Sequence, residues 1–288
     1  PLMSEAGAAF DPHAFIGSVK GYYTPTDGEM LSLPFNSSTP VLWVNRNALE
    51  GAGIDPDTDM STWQQVGEVL DALKAAGHEC PITTAWQSWI HLENFSAYHN
   101  TPFATKDNGF AGLDTELALN GPLQVQHIQA MGDWAKDGKF IYAGRRNEGG
   151  ANFRAGECAL FTESSAGYAG IKAEAEFDFE VRPLPYWDGA EGAPQNTIIG
   201  GASLWVMAGQ SDEEYAGVAT FLNFLSSPEI QAKWHQDTGY LPITSAAADL
   251  TREQGFYEEN PGTDIAVIQM TANAPTANSK GLRLGSFD

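Results

Sequence analysis

The chain has 288 residues, 42% of them hydrophobic, which is enough for a packed core and too apolar for an intrinsically disordered protein. Lys plus Arg number 15 against 37 Asp plus Glu, a formal charge of −22 that repels nucleic-acid phosphates and anionic lipid headgroups. Charged residues make up only 18%, so the acidity reflects scarce cations, a composition compatible with a secreted protein in a salty medium.

In chain order, Phe35-Asn36-Ser37-Ser38-Thr39-Pro40 leads into the apolar run 41–44, which reads as a buried strand. Ser61-Thr62-Trp63-Gln64-Gln65 offers two overlapping capping boxes, Ser61 with Gln64 and Thr62 with Gln65. Trp63, Val66, Val69, Leu70 and Leu73 then recur at helical spacing until Gly77. Trp86-Gln87-Ser88-Trp89 sets two indoles three residues apart, neighbours on one helical face that either wall a cleft or fill a core. A second helix opens at Asn120-Gly121-Pro122, with Val125, Ile128, Met131 and Trp134 expected on its inner face and Gly138 ending it.

The run 159–162 is the next expected strand, and Phe161-Thr162-Glu163-Ser164-Ser165-Ala166-Gly167 follows it into a helix start. Free N–H groups, hydroxyls and small residues there suit either an anion site or an ordinary Ser N-cap. Residues 179–184 and 203–207 read as further buried strands, and 186–196 as an exposed loop. Ile198-Ile199-Gly200-Gly201-Ala202-Ser203 carries glycines that either admit a ligand close to the backbone or make a turn needing positive φ. Helices are expected from Ser211-Asp212-Glu213-Glu214 and from Ser227-Pro228 through Trp234, then Gly239-Tyr240, whose hydroxyl either reaches a cleft or caps a loop. Residues 255–262 and 273–279 read as irregular. Strands alternating with helices predict α/β layering.

Catalytic signatures are missing. The six histidines form no His-Glu-x-x-His pattern; His91-Leu92-Glu93, the nearest fragment, reads as structural. Nucleophile-elbow, Walker and dinucleotide-binding motifs are absent, so no metal and no cofactor is implied. Cys80 and Cys158 are either two buried thiols or one disulfide. The most apolar stretch, 192–211, is broken by Gln195, Asn196, Thr197 and Gly200-Gly201 and cannot span a membrane; the first five residues carry no signal-peptide pattern.

Longer phrases carry a resemblance. They are Pro34-Phe35-Asn36-Ser37-Ser38-Thr39-Pro40-Val41-Leu42, Trp86-x-x-Trp89-x-x-Leu92-Glu93-Asn94-Phe95-Ser96-Ala97, Ala193-Pro194-Gln195-Asn196, residues 198–207, Trp234-His235-Gln236, residues 238–244 and 250–257, and Lys280-Gly281-Leu282-Arg283-Leu284-Gly285. Read together, they resemble the glycerol-3-phosphate-binding members of the extracellular solute-binding family of ATP-binding cassette importers, which also includes maltose-binding proteins. The resemblance implies an α/β, two-lobed periplasmic-binding-protein fold of type II, truncated at both ends. The family's opening βαβ segment would precede Pro1, and its cleft arginine would lie just past Asp288. Residues 1–38 and 204–243 would be the remnant of the first lobe; 39–203 and 244–288 would form the second lobe with the hinge-crossing segments.

The implied role is capture of glycerol-3-phosphate or a glycerophosphodiester such as glycerophosphocholine by a periplasmic monomer, and delivery to an inner-membrane permease without chemistry. The residues carried over are Ser38, Trp86, Trp89, Ser164, Gly201 and Tyr240, with Ser38, Ser164, the Gly201 amide and Tyr240 donating to ligand oxygens and the indoles walling the cleft. Glu163 stands where the family more usually has a small neutral residue, and is expected to face solvent. The rival readings are a neutral carbohydrate binder of the same fold and a secreted glycerophosphodiester or glycoside hydrolase.

Overall fold

The computed structural model describes residues 2–5, 11–24, 28–112 and 114–281. Pro1 and the residues Leu282, Arg283, Leu284 and Gly285 of the last resembling phrase lie outside them. Among the described residues, six strands form two sheets. β1 (Leu33–Ser38) pairs with β6 (Gly200–Leu204) in an antiparallel ribbon. The second sheet has the order β3-β4-β2-β5, from β2 (Pro40–Asn45), β3 (Cys80–Thr84), β4 (Cys158–Ser164) and β5 (Phe179–Arg182). β3 runs parallel to β4 and the other pairs are antiparallel.

β2 explains why its sequence is an unbroken apolar run. It is an interior strand covered on both faces, and its side chains alternate between two cores. Val41 and Trp43 point into one with Phe153, Phe161, Ile171 and Met270. Leu42 and Val44 point into the other with Trp63, Leu70, Ile82 and Phe95. The first core also takes Phe15, Val19, Leu222 and Leu241, so segments distant in sequence share it.

Capping chemistry sets the helix starts. Of the two capping boxes offered at 61–65, the Thr62–Gln65 box is the one formed, and the helix runs Trp63–Ala75. Ser211 and Glu214 form a second box before Asp212–Leu225, and Pro122 and Pro228 occupy the first turns of Pro122–Lys136 and Pro228–Thr238. Cys80 and Cys158 are joined as a disulfide across the starts of β3 and β4, which resolves the open alternative.

Four expectations are corrected. The inner face of Pro122–Lys136 carries Gln124, His127 and Met131, while Val125 and Ile128 are 54% and 45% exposed. Gln124 earns burial by donating from Nε2 to Thr101 Oγ1 (3.0 Å) and Pro102 O (3.2 Å), so polarity misled the reading. The strand expected at 203–207 lies earlier, ends at Leu204 and is not buried; Trp205 and Met207 are exposed. In the loop 186–196, Trp187 and Asn196 are buried. Residues 255–262, expected to be irregular, contain the one-turn helix Phe256–Glu259.

Candidate functional site

Strand register brings the key residues together. Ser38 at the end of β1 faces Gly200 at the start of β6, and Pro40 at the start of β2 faces Ser164 at the end of β4. The residue between the two sheets, Thr39, is fully buried and pins this junction: its Oγ1 lies 3.0 Å from Ile198 O and 2.7 Å from Thr197 Oγ1. Ser165 N–H donates to Thr39 O at 2.9 Å. The ends of four strands therefore meet beside Thr39.

Beside this junction opens a cavity of about 600 Å³. Ser38, Trp86, Trp89, Ser164, Gly201 and Tyr240 all line it, so the six residues carried over by the resemblance share one hollow. Gly201 fits the reading of a turn that needs positive φ. Gly201 has φ +127°, and a Cβ there would sit 1.9 Å from Asn36 O, so the ribbon tolerates only glycine; the same backbone is open to the cavity. Gly200 is crowded instead by the Trp89 ring, with a hypothetical Cβ 2.7 Å from its Cζ2.

The indoles are not on one regular helical face. Trp86 has φ +46° and precedes the helical turn, its N–H donating to Arg146 O at 2.9 Å, while Trp89 opens a π-helix, Trp89–Asn94. They still converge on the cavity, both lining its wall. Ser164 does cap the following turn, its Oγ accepting from Ala166 N–H at 3.1 Å, which leaves its hydroxyl proton free to donate. Tyr240 follows the helix-ending Gly239 (φ +81°); His235 Nδ1 binds its carbonyl at 2.6 Å and its ring stacks on Trp234, which fixes the direction of the phenol.

Glu163 is corrected. It is 6% exposed and lines the cavity instead of facing solvent. Its Oε1 accepts the Ser164 N–H at 2.6 Å, and Trp86 shares its wall of the cavity. Burial pushes its carboxyl up to about 7, against the opposing pull of this bond and of the Arg154 charge. The signal was in the strand alternation: Phe161 and Glu163 are two apart on β4, so both side chains share the face that meets the first core and the cavity.

Sequence reasoning also missed Tyr22, Glu93, Asn147 and Arg154 on the cavity wall. Arg154 ends the helix Gly149–Arg154 and brings a guanidinium to the cleft, with its Nε held by Glu174 at 2.7 Å; no local motif marks it. The fragment His91-Leu92-Glu93 splits, Glu93 on the cavity and His91 buried in the second core's polar seam. There Trp187 Nε1–H donates to His127 Nδ1 (3.2 Å), so a neutral His127 presents Nε2–H to His91 Nδ1 (3.0 Å), and His91 Nε2–H meets Thr84 Oγ1 (2.9 Å). No cluster of three or more potential metal ligands occurs among the described residues, and no described helix is long and apolar enough to cross a membrane.

A sheet packed on both faces, strands crossing to a second sheet and a cleft beside the crossing form a scaffold suited to holding a small ligand. The profile of the bacterial extracellular solute-binding protein family matches residues 8–264, and the chain belongs to that family. It is 51% identical over 287 residues to the sn-glycerol-3-phosphate-binding periplasmic protein UgpB of Yersinia enterocolitica, covering 99% of this chain and 65% of the relative. The Escherichia coli protein of the same name is 52% identical, with 99% and 66% covered. The chain thus spans just under two thirds of the length of the curated relatives it matches.

Among solved structures, UgpB from Mycobacterium tuberculosis in complex with glycerophosphocholine superposes with a TM-score of 0.77 at 25% identity, covering 93% of this chain and 65% of that one. Maltose-bound T. maritima MalE3 superposes with a TM-score of 0.71 at 17% identity, covering 96% and 70%, a likeness of fold. The fold is that of the maltose-binding-protein-like solute-binding proteins, and the family is one of extracellular solute-binding proteins.

Proposed function

We propose that the protein captures sn-glycerol-3-phosphate or glycerophosphodiesters such as glycerophosphocholine in the periplasm and, as a monomer, delivers them unaltered to an inner-membrane ATP-binding cassette permease. The observation that carries this reading is the convergence of Ser38, Trp86, Trp89, Ser164, Gly201 and Tyr240 on one cavity. Hydroxyls and the Gly201 amide supply donors to phosphate and glycerol oxygens, and the indoles cover the apolar face of the ligand. Residues 1–38 and 204–243 belong to one lobe, 39–203 and 244–288 to the other. The strands cross at Thr39, so ligand that prefers the closed arrangement shifts a hinge equilibrium.

The global charge of −22 does not forbid an anionic ligand. Surface charge is screened beyond about 8–10 Å, whereas each charge-assisted hydrogen bond at contact distance is worth roughly 1.5–3 kcal/mol. The experiment is a thermal-shift and calorimetric titration of the protein with glycerol-3-phosphate, glycerophosphocholine and maltose. The expected result is a raised melting temperature and measurable heat with at least one phosphate ester, recovered unchanged by mass spectrometry. Binding of maltose alone would make the protein a carbohydrate binder, and turnover of an ester would make it a hydrolase.

A further inference from the structure

We propose that Glu163 sets the charge of the ligand this cleft accepts, rejecting phosphate monoester dianions and favouring phosphodiesters whose far end bears an ammonium group. The inference rests on the phosphate-ester reading above and deepens it. Its first support is geometric: the carboxylate lies on the cavity wall, 6% exposed, takes the Ser164 N–H at 2.6 Å and shares that wall with Trp86 and Trp89. A backbone donor that an entering phosphate would use at this end is committed to an anion that belongs to the chain. A phosphate placed here meets a carboxylate in poor solvent; an ammonium group meets a carboxylate flanked by indoles, the pairing that holds such cations.

The charge count of the cavity points the same way. Its ionisable lining groups among the described residues are Glu93, Glu163, Arg154, Tyr22 and Tyr240. The guanidinium on this lining, Arg154, is itself shared with Glu174 at 2.7 Å. A phosphodiester brings one negative charge, and a choline or ethanolamine ester cancels even that, whereas a monoester dianion brings two. Two units of charge separate a zwitterionic choline diester from a monoester dianion, and that difference beside one partly solvated carboxylate corresponds to a preference of roughly thirtyfold. Because burial holds the Glu163 carboxyl near about 7, discrimination should be strong above neutrality and weak below it.

The test is calorimetric titration of the wild-type protein and of Glu163→Gln with glycerol-3-phosphate, glycerophosphocholine and the uncharged-headgroup diester glycerophosphoglycerol, at about pH 8 and about pH 6. The wild type at the higher pH should bind glycerophosphocholine roughly thirtyfold more tightly than the monoester, and more tightly than glycerophosphoglycerol. Glu163→Gln should shrink the first ratio about tenfold, chiefly by tightening the monoester, and the wild type at the lower pH should approach the variant. If both esters bind but the ratio is the same with and without the carboxylate, this inference is overturned and the phosphate-ester reading stands. If no ester binds to either protein, that reading itself fails. Should the variant not fold, equal wild-type affinity for the choline and glycerol diesters would overturn the inference on its own.

Discussion

Acidifying the protein from about pH 8 to about pH 5 is expected to lower its melting temperature by roughly 10 °C. The cause is the buried seam of His91, His99 and His127, each locked in a neutral state. His99 donates from Nδ1 to Phe95 O (2.7 Å) and accepts at Nε2 from Trp187 N–H (2.8 Å). His127 accepts from the Trp187 indole and passes its own N–H to His91. A proton added to any of them turns an acceptor into a donor facing a donor. Burial accordingly holds His91 down to about 3 and His99 to about 4, and depresses His127 well below its usual range. Unfolding releases these rings to the ordinary value near 6.5, so the unfolded chain binds more protons and stability falls as the pH drops below that point.

At about pH 5 each ring costs about 2 kcal/mol. Glu163 acts in the opposite sense. Its native carboxyl is raised to about 7, so its contribution to stability is complete below the unfolded value near 4.5 and is lost as the pH rises through 7. It returns about 2–3 kcal/mol on acidification, leaving a net loss of about 3–4 kcal/mol. Calorimetric scans at about 0.5 M salt, where self-repulsion of the −22 charge is screened, check this. Glu163→Gln should show a larger acid loss than the wild type. A melting temperature that is flat or rises on acidification would contradict the account.

Reducing the Cys80–Cys158 bond is the second large effect. The bridge joins residues 78 apart, and in the chain-entropy model a loop of that length stabilises the native state by about 4–5 kcal/mol. The reduced protein, or Cys80→Ala with Cys158→Ala, should stay folded on its two cores yet melt roughly 10 °C lower. The closed loop also contains Trp86, Trp89, Glu93, Asn147 and Arg154, one whole wall of the cavity, so ligand affinity should fall with it. Scans with and without a phosphine reductant measure the effect; coincident transitions would show that the bond contributes nothing.

Much of this architecture was legible before any coordinates. A capping box located the helix after Thr62 and acids in a first turn the one after Ser211, and four short apolar runs located three of the strands of the central sheet and the neighbourhood of β6. The six cleft residues were found because long phrases identify a family where isolated Ser or Trp residues do not. What stayed hidden has a common origin: polar groups buried by partners from other segments. His127 and Gln124 displaced Val125 and Ile128 from an inner helix face because Trp187, His91 and Thr101 satisfy them. Arg154 and Glu93 reach the cavity through tertiary packing alone. Glu163 is the exception, since counting two residues from Phe161 along β4 would have turned it inward.

The most direct measurement is a crystal structure of the protein grown with glycerophosphocholine. The account predicts the compound in the cavity beside Thr39, its phosphate within hydrogen-bond reach of the Ser38 hydroxyl, the Gly201 amide and the Tyr240 hydroxyl, and its choline against Trp86, Trp89 and Glu163. Density for the compound on any other surface, with this cavity holding only solvent, would contradict it.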